Sequence, residues 1–432
     1  MTHVSQLRQA DAGTPSKRPM LRVLFVSREY PPETGGGGIG SYVESMARIL
    51  AARGHEVHVL SCVEGQAVED TKRAGVYLHR RGVRRWLPKI RRRLPAAAFR
   101  VEGALSSYLA VKDLGLEVDV LEAPDWRAEG LAFALSHSHP LVVHLHTPLL
   151  IVGRENPKSF RWSRDARIAA RLERFAVRKS DLATSPSQLL VGDLAREGWL
   201  DGLETRVIRY PIDARAWDLV APPGTSQPRI LTVGRLEARK APEVVLRAGA
   251  QLQSAIPDLE VVFIGRDALR NGGSYKDWLV HLAHELAVPC RFIDEVRRSE
   301  LPAWYGSARV VVVPSRYDNF PYTGLEAMAA RRPVVCTDGT GTAELLRGAT
   351  PANVVPVGDA NALAEALRPY LLDAERAARA GLEARSLVER HCSPEQVAEE
   401  REASYMEAID RWRRRRRGIR RRALRVRRDY EE

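Results

Sequence analysis

The sequence lacks features that would place it in several classes of protein. Its four cysteines, Cys62, Cys290, Cys336 and Cys392, stand far apart, so no close pair suggests zinc ligation or redox work, and such usage fits a reducing compartment. No apolar run approaches the roughly 20 residues that span a bilayer. The polar stretch 1–19 has no apolar core of a signal peptide. We therefore expect a cytoplasmic protein.

The overall composition is that of a globular protein. Of 432 residues, 44% are hydrophobic and 28% are charged, which excludes a fibrous, disordered or membrane-embedded chain. A single hydrophobic core rarely grows beyond roughly 250–300 residues, so this length predicts two domains or three.

The net charge of +13 is concentrated in two segments. Residues 80–100 hold nine basic residues and no acid, and residues 411–432 hold twelve arginines and three acids, so each segment carries +9 and the rest of the chain −5. Both mix arginine with apolar side chains, which suits an anionic membrane surface. A solubilising tail is the second interpretation; nucleic acid is the third, because modules that bind it are not recognisable. The predicted membrane contacts are Arg84, Arg85, Trp86, Arg91, Arg92, Arg93 and Trp412.

Strand-like and helix-like segments alternate along the chain. Residues 21–26, 41–52 and 56–60 are typical of a strand, a helix and a strand, a unit of a parallel, doubly wound sheet. After a Pro- and Gly-containing stretch the pattern restarts at Arg229. The predicted organisation is a disordered terminus 1–19, domains 20–213 and 229–392 joined by a linker 214–228, a helix 393–412 and a basic tail 413–432.

Three motifs suggest chemistry, and each has a plain structural alternative. Residues 35–40, Gly-Gly-Gly-Gly-Ile-Gly, precede a helix, whose N-terminus attracts anions; a flexible turn is the alternative. Arg235 and Lys240 lie on the loop after a strand, where cations suit a diphosphate; the alternative is a pair of solvated charges. Asp318 and Glu326, eight residues apart, are placed to grip sugar and ribose hydroxyls, although acids at these positions are also common structurally.

Taken in order, these motifs resemble a known enzyme family. The Gly-rich loop, His144-x-His146, Gly-Arg-x4-Lys and Pro-Ser-x2-acid-x7-Glu-Ala-Met are similar to the retaining glycosyltransferases of family 4, from about Leu21 to about residue 410. Glu344 also falls where that family has a Glu. The resemblance implies an α/β GT-B fold, with two Rossmann-like doubly wound domains facing across a cleft and a C-terminal helix crossing back toward the N-domain.

The resemblance also implies roles for individual residues. Arg235 and Lys240 would hold the donor diphosphate, Asp318 the donor sugar and Glu326 the nucleotide ribose, while His146 would lie at the reaction centre and His144 would be structural. The catalytic set is thus His146, Asp318, Arg235 and Lys240, and the remaining donor contacts are Gly37, Gly38, Phe320, Tyr322, Thr323 and Glu326. Two departures stand out: the first acid is Asp318 instead of Glu, and Pro321 replaces the usual Gly and removes a backbone donor.

The resulting expectation is a retaining hexosyltransferase that moves a sugar from a nucleotide-diphosphate sugar to a hydroxyl acceptor. No Asp-x-Asp pair occurs in the chain, and two cations are available for the diphosphate, so no metal or other cofactor is expected. A lipid-linked or membrane-associated glycan in cell-surface polysaccharide assembly, met on the inner face of the cell membrane, would explain the basic segments. The alternatives are a GT-B nucleotide-sugar epimerase and a non-catalytic membrane or nucleic-acid adaptor.

Overall fold

The computed structural model describes residues 19–32, 37–156, 160–220, 227–270 and 272–431, with side chains as far as residue 418. The expected disordered segment 1–19 lies outside this part of the chain except for Pro19, and so do Gly35 and Gly36 of the Gly-rich loop.

The N-terminal domain is built on a sheet whose described strands follow the order β3-β4-β2-β1-β5-β6-β7-β8. All neighbours pair in parallel except β3 and β4. The central strands are apolar and buried because helices cover both faces of the sheet. The strands are β1 Arg22–Val26, β2 Glu56–Val63, β3 Glu69–Arg73, β4 Val76–Gly82, β5 Val120–Pro124, β6 Leu141–His144, β7 Leu182–Ser185 and β8 Thr205–Val207.

The helices of this domain connect the parallel strands, as the alternating pattern predicts. The first begins at Gly38, so Gly38 and Gly40 belong to its opening turn and not to the loop before it. The helices are α1 Gly38–Ala52, α2 Pro88–Arg93, α3 Pro95–Asp113, α4 Leu131–Ser136, α5 Leu149–Glu155, α6 Arg164–Lys179 and α7 Gln188–Arg196.

The second domain repeats the architecture with a parallel sheet in the order β13-β10-β9-β14-β15-β16, beside a small hairpin of β11 and β12. The strands are β9 Arg229–Val233, β10 Glu260–Ile264, β11 Leu269–Arg270, β12 Gly273–Ser274, β13 Cys290–Ile293, β14 Val310–Val313, β15 Val334–Thr337 and β16 Val354–Val355. The helices are α8 Pro242–Leu252, α9 Tyr275–Glu285, α10 Leu301–Ser307, α11 Tyr322–Ala329, α12 Thr342–Leu346, α13 Ala360–Leu372, α14 Ala374–His391 and α15 Pro394–Glu431.

Helix α15 returns from the second domain to the first, as the resemblance implies. Its Arg401 is buried and donates to Thr184 at 2.8 Å and to Glu122 at 3.3 Å. Nearer its C-terminus, the Trp412 indole donates to the carbonyl of His137 at 3.0 Å. The helix does not stop where the basic tail was expected to begin at residue 413 but continues to Glu431. Within the described residues, every helix is either too short or too polar to span a lipid bilayer.

The two doubly wound domains and the returning helix confirm the predicted fold class. The sequence pattern did not reveal the β3–β4 hairpin, because β3 is a run of polar residues, Glu-Asp-Thr-Lys-Arg, at an edge of the sheet. The predicted linker 214–228 begins with a short 3-10 helix at Ala214–Trp217, whose Trp217 packs edge-on against Tyr305 of the second domain at 5.4 Å.

Candidate active site

A partly buried ion pair joins two loops at the carboxyl edge of the second sheet. The Lys240 ammonium donates to the Asp318 carboxylate. Lys240 ends a single 3-10 turn after β9, and Pro242 then opens α8, where a missing N–H costs nothing. Burial by itself would raise the pKa of Asp318, but the charges of Lys240 and Arg239 outweigh it and lower that pKa. Burial lowers the pKa of Lys240, while Asp318 opposes this shift.

Arg239 locks these two loops together. It is buried, and its guanidinium donates to the carbonyl of Tyr317 at 2.8 Å and to Glu237 at 2.7 Å, while its own carbonyl accepts from the N–H of Arg316 at 2.7 Å. Arg235, by contrast, keeps 60% of its side chain exposed and lies 3.3 Å from Glu237. The two predicted diphosphate cations therefore differ: Lys240 is paired with Asp318 in the site, and Arg235 is exposed at its rim.

The N-terminus of α11 forms the second part of the site. Pro321 is the residue before the helix, and the N–H groups of Tyr322 and Thr323 lie in its first turn, where an α-helix offers them no internal acceptor. Pro321 therefore removes one donor without disturbing the helix. Glu326 is buried one turn further on, and burial raises its pKa. Its carboxylate accepts from the Tyr305 hydroxyl at 3.0 Å.

His146 lies on the loop after β6, in the other domain. Its backbone N–H donates to the Asp125 carboxyl group at 2.8 Å, and its ring Nδ1 lies 2.7 Å from the Tyr210 hydroxyl. Burial, with the nearby charge of Arg401, lowers its pKa to about 3, so the imidazole is neutral at neutral pH. His144 is fully buried, with Nδ1 2.7 Å from the Thr184 hydroxyl.

Asn319 brings the two halves of the site together. It follows Asp318 directly, and its amide donates to the carbonyls of Leu145 at 3.0 Å and His146 at 2.7 Å. The side-chain oxygen Oδ1 of Asn319 accepts from the Ser187 hydroxyl at 2.5 Å. A Cβ on Gly341 would stand only 1.9 Å from the Asn319 carbonyl oxygen, so only glycine permits this close loop packing.

Aromatic rings and one carboxylate continue the contact between domains. The Tyr210 ring stacks on Tyr322 at 4.9 Å and packs edge-on against Phe320 at 5.9 Å. Glu344 accepts from the N–H of Gln188 at 3.1 Å and of Leu189 at 2.8 Å, so it caps the N-terminus of α7. The loops that carry His146 and Asp318 thus meet through Asn319.

The sequence is similar to those of known glycosyltransferases along most of its length. Residues 36–216 match the sequence pattern described as Glycosyltransferase Family 4, and residues 218–387 match that of Glycosyl transferases group 1. A glycogen synthase of Mycobacterium tuberculosis is 31% identical over 383 residues, which are 83% of this chain and 89% of the relative. The chain belongs to the family 4 glycosyltransferases.

Other similar proteins have related names. A D-inositol 3-phosphate glycosyltransferase of a Nocardioides species is 26% identical across 83% of this glycosyltransferase and 82% of the relative. Among solved structures, a sucrose-phosphate synthase from Thermosynechococcus elongatus superposes with a TM-score of 0.69 at 22% identity, covering 90% and 99% of the two chains. HepE of Anabaena, in complex with UDP and glucose, gives 0.65 at 18% identity over 88% and 98%. These two structures support the GT-B fold.

The remaining predicted donor residues of the glycosyltransferase follow β1 in the first domain and β14 in the second. Gly37 is the residue before α1, and a Cβ there would come 3.2 Å from the Glu29 carboxylate. Gly38 is the first residue of the helix and has open space around its Cβ position. Phe320 is buried and packs against Tyr210, so it contributes packing through its ring. Among the described residues, no three His, Cys, Asp or Glu side chains converge as metal ligands would.

Acids from outside residues 80–100 neutralise part of the charge of the first basic segment. Arg91 donates to the buried Glu102 at 2.6 Å, Arg84 lies 3.4 Å from Asp113, and Arg85 pairs with Glu64. None of these acids is within residues 80–100, so the sequence count did not include them. Exposed side chains of the segment include those of Trp86, Lys89, Ile90, Arg92 and Arg93.

Some residues of the site were missed from the sequence. Asn319 lies inside the recognised motif, between Asp318 and Phe320, and its place there is the one signal that could have drawn attention to it. Tyr210 and Asp125 belong to no recognised motif, and only the folded chain brings them to His146.

Proposed function

We propose that this family 4 glycosyltransferase transfers a hexose from a nucleotide-diphosphate sugar to a hydroxyl acceptor with retention of anomeric configuration. The observation that carries the proposal is the meeting of the two domains at Asn319. Asn319 donates to the backbone carbonyl of His146 in the first domain, and its neighbour Asp318 pairs with Lys240 in the second domain. A donor bound to the second domain would therefore present its sugar to His146.

Lys240 and Arg235 supply positive charge for the departing diphosphate. Lys240 is positioned before substrate arrives, and its partner Asp318 is the acid proposed to contact the sugar. Free N–H groups of Tyr322 and Thr323 at the start of α11 add donors for an anion. The complex of HepE with UDP and glucose supports a nucleotide-diphosphate sugar of this type.

The proposed chemistry uses no protein nucleophile. The glycosidic C–O bond to the diphosphate breaks, and the acceptor oxygen attacks the same face while its proton passes to the departing phosphate. Neutral His146 supports this step as a hydrogen-bonding group. When the Tyr210 hydroxyl donates to Nδ1, the proton of the ring lies on Nε2, which is then free to donate to a sugar oxygen.

The proposed working place is the cytoplasmic face of a membrane that presents a lipid-linked glycan. Exposed Trp86 and Ile90, at 40% and 44% exposure, lie among the exposed cations Lys89, Arg92 and Arg93. Apolar anchors beside cations favour an anionic interface. The arginine-rich end of α15 adds charge.

A ligand screen tests the proposed donor. Thermal unfolding with nucleoside diphosphates and their sugars should identify a ligand that raises the melting temperature, because binding to the folded state stabilises it by mass action. Lys240→Ala should abolish this shift. Arg247→Ala, an exposed arginine on the adjoining α8, is the matched control and should keep it. Equal shifts in both variants would refute the placement of the diphosphate.

A further inference from the structure

Two arginines that belong to no predicted donor or catalytic set lie at the carboxyl edge of the first sheet. Arg28 comes just after β1, and Arg127 lies in a 3-10 turn after β5. Both guanidinium groups lie over the ring of Phe99, at 4.2 Å and 5.3 Å from its centroid. Cations over an aromatic face attract the ring electrons, so Phe99 holds the two positive charges near each other.

Arg28 is a buried cation with unused donors. Its exposure is 9%, and within the described residues its Nε and Nη1 are buried and make no hydrogen bond. Arg100, a neighbouring buried arginine, instead donates from Nε and Nη2 to Glu173 at 3.0 and 2.6 Å. Burying a guanidinium without acceptors is unfavourable. A structural role therefore explains Arg100 but not Arg28.

The nearest acid leaves the Arg28 side chain available. Glu129 accepts from the backbone N–H of Arg28 at 2.8 Å, and burial raises the pKa of Glu129 to about 8. Arg127 has φ of 63° and ψ of 11°, a left-handed conformation that is costly for a residue with a side chain. Its N–H is held by Glu173 at 3.0 Å.

The two arginines lie between the donor loop and the reaction centre. Glu29, next to Arg28, approaches Gly37 of the donor loop. On the other side, Asp125 binds the N–H of His146 and precedes Arg127 by two residues. Glu173 accepts from both Arg127 and Leu149, so it ties the arginine turn to the His146 loop.

We propose that Arg28 and Arg127 bind an anionic group of the acceptor, a phosphate or a carboxylate, above the ring of Phe99. The guanidinium donates readily to either kind of group, and Nε and Nη1 of Arg28 are donors without an acceptor among the described residues. This inference rests on the proposed function, since it describes the acceptor of the same reaction. It predicts that a negatively charged sugar binds where a neutral one does not.

Thermal-shift titrations with glucose 6-phosphate, glucuronate and glucose test this site. Glucose 6-phosphate or glucuronate should raise the melting temperature of the wild-type chain, glucose should not, and the stronger of the two identifies the anionic group. Arg28→Met and Arg127→Gly should each raise the concentration of anionic sugar needed for the same shift by about tenfold or more. Glycine tolerates the left-handed conformation at 127, so that variant keeps its backbone. Arg171→Ala, an exposed arginine on α6, is the control.

Titrations in Lys240→Ala separate this site from the donor site. The response to the anionic sugar should persist in Lys240→Ala, and the response to nucleoside diphosphates should persist in Arg127→Gly. No response of the wild-type chain to either anionic sugar would overturn the inference, and so would an unchanged response in both arginine variants. A wild-type chain that responds to an anionic sugar but to no nucleoside diphosphate would instead count against the proposed function.

Discussion

The side-chain amide of Asn319 donates a hydrogen bond of 2.7 Å to the backbone carbonyl of His146. Asn319 belongs to the second domain and His146 to the first, so this one bond spans the two halves of the site. Asp318 precedes Asn319 directly and carries the ion pair with Lys240. The alignment of donor and reaction centre therefore depends on a residue that contacts neither reacting group in the proposed chemistry.

Asn319→Ala should impair turnover more than donor binding. The substitution leaves the carbonyls of Leu145 and His146 without their donor, and small misplacements of reacting groups reduce rates strongly. We expect kcat to fall about tenfold or more, while the Kd for the nucleoside diphosphate changes by less than about twofold. Steady-state kinetics and calorimetry measure the two quantities. Asn361→Ala, an exposed amide on α13, should change neither, and an unaffected kcat in Asn319→Ala would contradict the positioning role.

Arg401→Met should strongly destabilise the fold. The substitution leaves Glu122 buried without its cation, although Tyr42 and Tyr405 still donate to it at 2.7 and 2.8 Å. Removing one partner of such a pair costs about 3–5 kcal/mol. Arg215→Met removes an exposed pair between Arg215 and Glu395 and should cost less than about 1 kcal/mol. Urea unfolding compares the two variants, and similar losses would show that α15 is not anchored by Arg401.

Stability should fall as the pH rises from about 6.5 to 8. Burial raises the pKa of both Asp125 and Glu129 to about 8, so the folded chain keeps protons that the unfolded chain has lost. Each such group lowers the unfolding free energy by about 1.4 kcal/mol per pH unit in this window. Asp125→Asn removes one of them and should reduce the slope. Unfolding free energies at several pH values measure it, and an unchanged slope would contradict a protonated Asp125.

Below pH 6.5 the opposite dependence of His146 enters. Burial lowers the pKa of His146 to about 3, so at these pH values the unfolded chain binds a proton that the folded chain does not. This contribution to stability is lost as the pH falls from about 6.5 toward 3. Tyr210→Phe removes the hydroxyl beside Nδ1 of His146 but keeps the aromatic ring at position 210. Comparing its pH dependence of stability with that of the wild-type chain tests the surroundings of His146.

Binding to vesicles should depend on those exposed cations of the first basic segment that have no acidic partner in the described part of the chain. Lys89, Arg92 and Arg93 are exposed beside Trp86 and Ile90, whereas Arg84 and Arg85 have acidic partners. Replacing Lys89, Arg92 and Arg93 by Ala should reduce flotation with phosphatidylserine vesicles, and Arg84→Ala with Arg85→Ala should reduce it less. Equal binding to neutral phosphatidylcholine vesicles would refute an electrostatic membrane contact.

Local sequence patterns predicted the fold because they are repeated and strong. Apolar strands such as Arg22–Val26 and Val310–Val313 alternate with amphipathic helices, and this alternation defines a doubly wound sheet. The β3 strand was missed because its five residues are polar and its pairing with β4 is not encoded in any period. Lys240, Asp318 and Glu326 were predicted because each lies in a recognisable motif.

Contacts between distant segments could not be predicted in the same way. Asn319 meets His146 across 173 positions of the chain, and Arg401 meets Glu122 across 279. The ion pairs of residues 80–100 could not be predicted for the same reason, because their partners Glu64, Glu102 and Asp113 lie outside the segment. Such contacts follow from the packing of the sheet and helices and not from local sequence.

Determining the anomeric configuration of the product tests the central claim most directly. With the donor sugar identified by the ligand screen, proton NMR should follow product formation in excess chelator by the wild-type chain, Lys240→Ala and Arg247→Ala. The account predicts that the transferred sugar keeps the configuration of the donor, that chelator has no effect, and that Lys240→Ala alone is inactive. An inverted product, activity that returns only with Mg²⁺ or Mn²⁺, or full activity of Lys240→Ala would contradict it.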